Sequence, residues 1–137
     1  MPHSFRLTSL VVAGVLAVSS SAFAEEAKKD AADPSVKLAS VGIPVFTGHT
    51  IDNYLFLSIK INLTPKGDET KLRDKEPYFR DALVRAAHKT SFALPGHSDK
   101  LDEARFKGVM MQEWAPIAGP GAIASIEIVS QSPKNHQ

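Results

Sequence analysis

Cysteine is absent from this 137-residue chain, which excludes disulfides, thiolate nucleophiles and cysteine-based zinc sites. An excess of charge is missing too, since 16 Lys and Arg stand against 15 Asp and Glu. A balance that close argues against nucleic acid or an anionic membrane surface as the main partner. Long apolar runs are also lacking. The longest candidate with its small-residue tail, Leu10 to Ala24, is 15 residues, short of the roughly 20 that a membrane span needs. No internal repeat occurs.

The signatures of common chemistries are missing as well. There is no Gly-x-Ser-x-Gly elbow for a serine hydrolase. Of the five histidines, none forms a His-x-His or an i,i+4 pair, and His49, His88 and His97 are isolated from one another and from any carboxylate cluster. Gly119-Pro120-Gly121 leads toward a strand without a following lysine, so it reads as a turn and not as a phosphate cradle. The expectation is therefore a non-enzymatic protein with no catalytic, metal or cofactor residues.

Residues 1–24 have the three-part pattern of an export signal: Arg6 near the start, an apolar stretch, and Ala22-Phe23-Ala24 before Glu25. Cleavage there implies a periplasmic product; an uncleaved segment would keep the chain at the inner membrane. Residues 25–35 are charged and lack large apolar side chains, as in a solvated linker. The expected domain is 36–131, with a polar, frayed tail over 132–137.

The domain's most informative feature is a strand followed by a helix. From Leu55 to Leu63, every second residue is a large aliphatic: Leu55, Leu57, Ile59, Ile61 and Leu63. That period puts one continuous apolar stripe on one face of a strand. Val36 to Thr47 precedes it as a first strand; Gly42 and Pro44 predict that it is bulged or at a sheet edge, in an antiparallel hairpin with the second. Beyond Pro77 the period becomes 3.6. Phe79, Ala82, Leu83, Ala86 and Thr90 share one helical side, and Asp81, Arg85, His88 and Lys89 the other. Burying Phe79 and Leu83, at roughly 1.5–3 kcal/mol each, outweighs any surface ion pair on this helix.

A second helix is expected to start near Ser98 or Asp99 and to stop at Pro116. It carries two apolar stripes on nearly opposite sides. Leu101, Ala104, Gly108 and Met111 make one; Phe106, Met110 and Trp114 make the other. Either both stripes pack within the domain, or the second is a contact for another subunit or partner. A final strand follows over Ile123 to Ser130, with Ala124, Ile126 and Ile128 on one face. The pattern predicts an α+β two-layer domain of order β-β-α-α-β, with an antiparallel-containing sheet and two helices.

The strand ending in Asn62-Leu63-Thr64, followed by Pro77-Tyr-Phe-Arg-Asp-Ala82 and closing on Lys89-Thr90, resembles the flagellar basal-body-associated FliL family. Pro77, Arg80, Asp81, Ala82 and Thr90 stand at that family's motif positions, and the likeness extends over about 36–131. It implies a fold similar to the stomatin/prohibitin domain and a homo-oligomeric scaffold touching flagellar stator or basal-body proteins. The family normally carries a transmembrane anchor, and here a cleavable-looking signal stands in its place. The rival expectation is a soluble periplasmic binding module for a small molecule or peptide.

Overall fold

The aliphatics of residues 55–63 form the middle of the domain. In the computed structural model, which describes residues 33–136, all five are buried, and their strand is the central one of three. The expected signal (1–24) and most of the expected linker (25–32) lie outside the described residues.

The chain runs β1 (Ser35–Thr47), β2 (Thr50–Leu63), α1 (Glu69–Asp74), α2 (Glu76–Lys89), β3 (Ala93–Leu94), β4 (His97–Leu101), α3 (Glu103–Ala118) and β5 (Ile123–Pro133). Among the described residues this is an α+β domain: an antiparallel sheet of order β1-β2-β5, a small second sheet of β3 and β4, and three helices. Gly48, at φ 63°, opens the two-residue turn between β1 and β2, where the left-handed backbone matches the twist of the flanking strands.

The inner face of the sheet is a set of aliphatic ladders. Val36, Ile61 and Ile126 lie side by side across the three strands, as do Leu38, Ile59 and Ile128. A bulge keeps the ladders intact along β1. Leu38 pairs with Ile59 and Val41 with Leu57, so Ala39 and Ser40 together oppose Ser58. In a regular ladder without the bulge, the odd spacing from Leu38 to Val41 would turn Val41, Ile43 and Val45 to solvent. Ser40 takes up the kink at φ 51°. The expectation of a bulged edge strand is met on both counts, although the bulge lies ahead of Gly42. Gly42 has its own role: the ring of Phe56 lies so close that an added Cβ would come within 3.1 Å of it.

Pro77 occupies the first turn of α2, and Phe79, Ala82, Leu83, Ala86 and Ala87 are buried along it. In α3 the buried residues are Phe106, Met110 and Trp114. Trp114 Nε1 donates to the Phe79 carbonyl at 2.9 Å, and the two rings meet edge to face at 6.0 Å. Phe106 continues the series with edge-to-face contacts to Trp114 and Phe92. These rings couple α2, α3 and the 92–94 segment into one packed layer.

Several expectations are corrected. The helix does not begin at Ser98 or Asp99, because both lie in β4; its cap is Asp102, whose Oδ1 accepts from Arg105 N at 3.1 Å. Strand pairing with β3 and the burial of Leu101 outweigh the capping signal at Ser98. Pro116 does not stop α3, which runs on to Ala118. Pro116 is exposed, so water can reach the Gln112 carbonyl that loses its helical donor. Ala124 does not share the face of Ile126 and Ile128: Asn62 pairs with Ser125 and Leu63 with Ile123, which leaves Ala124 as an exposed bulge residue. The tail is not frayed from Ser132. β5 extends to Pro133, Lys134 N donates to the Tyr54 carbonyl, and buried Asn53 both donates to and accepts from the backbone of Asn135. Helix α1 and the β3–β4 hairpin were not anticipated.

Candidate functional site

The residues singled out from sequence fall into three groups. Leu55, Leu57, Ile59, Ile61, Leu63, Phe79 and Leu83 form the core, none more than 5% exposed. Phe106, Met110 and Trp114, proposed as a subunit or partner contact, are each 0% exposed. That reading is corrected, because these side chains have no surface left to offer. The other stripe is outside: Ala104, Gly108 and Met111 are exposed, and only Leu101, which belongs to β4, is buried.

The motif positions form the third group, and they join the helix layer to the sheet. Pro77 starts α2, Ala82 packs inward, and Thr90 caps the helix end through its N–H to the Ala86 carbonyl. Asp81 pairs outward with Arg85 at 2.8 Å. Arg80 does most. Its guanidinium holds Glu76 at 2.6 Å and also donates to the carbonyl of Ala39, at 3.1 Å. Ala39 sits in the β1 bulge, so one side chain ties the first turns of α2 to the kink in the edge strand. All six ion pairs among the described residues join side chains three or four apart at a helix.

Among the described residues the histidines do not converge, and no group of three or more His, Asp or Glu could hold a metal ion. His88 Nδ1 lies 2.7 Å from the Val84 carbonyl, and its ring packs on Phe46. His97 belongs to a different feature, an open cleft of about 410 Å³ between the β1–β2 turn region and the β3–β4 hairpin.

The cleft is built by local geometry. β2 carries an extra residue where Val45 pairs with Asn53 and Phe46 with Ile51, and that residue is Asp52. On the other side, Pro95-Gly96 turns the short hairpin, with Gly96 at φ 78°, and brings His97 beside Leu94. Arg105 comes from the first turn of α3, where its Nη1 donates to the Ser91 carbonyl at 3.2 Å and its Nε lies 3.8 Å from Asp102. Asp52, Ser91, Leu94, His97 and Arg105 all line the cleft. Sequence reasoning had His97 as isolated and passed over Asp52 and Arg105. Fifty-three positions separate those two, and only the register of two hairpins brings them to one cleft.

No protein-family model matches this chain, and no curated protein does either. Among the described residues, no helix is long and apolar enough to cross a membrane.

Proposed function

We propose that this chain is a non-enzymatic, exported FliL-like domain that acts in the periplasm as an accessory or assembly protein of the flagellar motor and supports motility. The observation that carries the reading is the use made of the motif residues: Pro77 opens α2, Ala82 and Thr90 seat and close it, and Arg80 ties it to the β1 bulge. A motif spent on fixing a helix to a sheet is what a scaffold requires. On this reading the domain forms homo-oligomers and touches stator or basal-body proteins through exposed surfaces. Ile51, Phe56, Tyr78, Leu94, Met111 and Val129 are the large apolar side chains available there.

The decisive experiment is the swimming radius of a gene-deletion strain on soft agar. The expected result is reduced spreading, restored by the wild-type gene. Unchanged swimming would remove the motor assignment. Light scattering on the purified mature domain should give a mass above that of one chain; a monomer at all concentrations counts against the assembly role.

The cleft favours a second reading, a periplasmic binding module. Its volume falls within the roughly 300–1,000 Å³ of small-ligand sites, and its lining mixes apolar and charged groups.

A further inference from the structure

We propose that the cleft between β1–β2 and the β3–β4 hairpin binds a small zwitterion, an aliphatic α-amino acid or dipeptide, with its carboxylate on Arg105 and its ammonium on Asp52. The inference deepens the binding-module reading and does not rest on the motor assignment.

The anchor is Arg105. Its guanidinium is held in place through Nη1 on the Ser91 carbonyl and Nε near Asp102, while Nη2 has no partner among the described residues. A guanidinium already fixed on one edge loses little freedom when it takes a carboxylate on the other, and its planar fork suits that partner. Asp102 is occupied twice, by this contact and by capping α3, so it does not compete for a ligand's cation.

Asp52 supplies the opposite charge. It lies at the bulge of β2 and lines the same cleft, and among the described residues its side chain makes no hydrogen bond or ion pair. It differs in this from Asp68, Asp81 and Asp102, each paired within its own helix. The rest of the lining mixes the aliphatic side chains of Val45, Ala93 and Leu94 with the polar groups of Thr47, Ser91 and His97. A cleft whose lining includes a free cation edge, a free carboxylate and aliphatic side chains beside them complements a zwitterion with an aliphatic side chain. An acid alone would leave Asp52 facing it unpaired, and an amine alone would leave Arg105 unused.

The test is a titration of the nitrogen-15-labelled domain with leucine, alanyl-leucine, N-acetylleucine and leucinamide, followed by amide chemical shifts. Saturable shifts are expected at Ser91, Leu94, Gly96, His97 and Arg105, for leucine or for the dipeptide. Each capped compound should bind about tenfold more weakly, the worth of one charge-assisted contact. Asp52→Asn should weaken leucine by a similar factor and leave N-acetylleucine unchanged; Arg105→Gln should weaken leucine and leave leucinamide unchanged. Asp52 is exposed and unpaired, so its variant reports on the ligand even if Arg105→Gln disturbs the Ser91 segment. The proposal is overturned if neither uncapped ligand shifts these amides at millimolar concentration, or if capping either end makes no difference. A swimming defect in the deletion strain bears on the motor reading alone.

Discussion

The two faces of α3 each carry a stripe at helical spacing and have opposite fates. Phe106, Met110 and Trp114 are sealed among Phe79, Phe92 and the rest of the core, while Ala104, Gly108 and Met111 face out. Side-chain size separates them. Three large side chains bury far more apolar area than Ala, Gly and one Met, and area removed from water is worth about 25 cal/mol per Å². Trp114 adds a geometric demand, since its N–H needs a partner once buried and finds the Phe79 carbonyl. A helix with two candidate stripes thus turns its bulkier one inward and leaves the smaller one for solvent or for other proteins.

The strongest way to break this comparison is Met110→Asp. An unpaired carboxylate at a fully buried site should cost about 4–5 kcal/mol or more, and the domain should lose its cooperative urea transition. A native-like transition would mean that this face is not inside. Trp114→Ala comes next, at about 3–5 kcal/mol, read as a lower urea midpoint. Trp114→Phe should cost less, because it keeps most of the ring volume and the Phe79 carbonyl can still take its helical donor.

The outer face should respond in the opposite sense or hardly at all. Gly108→Ala should raise stability by up to about 1 kcal/mol, since a Cβ there meets nothing within 4 Å and Ala is the better helix former. A loss of stability would reveal a close neighbour on this side. Met111→Asp should change stability by less than about 0.5 kcal/mol. It also tests assembly without damaging the core: if copies meet through this face, the mass by light scattering falls while the melting curve stays put.

Much of the architecture was legible in the residues. The β2 stripe, the edge position of β1 and the buried side of α2 follow from periods of 2 and 3.6 and from where Gly and Pro interrupt them, whereas the bulge itself falls at Ala39 and Ser40. The failures lie where local signals compete. Ser98 and Asp99 resemble helix caps, but Leu101 is worth more in the core, and β3 offers 97–101 a strand partner. Pro116 reads as a stop, yet a proline in an exposed last turn loses only a bond that water can replace. Polar Ser132 to Asn135 looked loose because Asn53, which clamps it, lies 82 residues earlier. The cleft had no local signal at all, since neither Asp52 nor Arg105 breaks a pattern.

The order of apolar and polar residues was enough to determine which face of β2 is buried and which side of α2 is wet, because each depends on neighbours two to four positions away. Tertiary structure alone decided which stripe of α3 is hidden, whether 97–101 is strand or helix, and which charged side chains line one cleft. Those outcomes weigh one burial against another across the fold, and that balance exists only once distant segments are packed together.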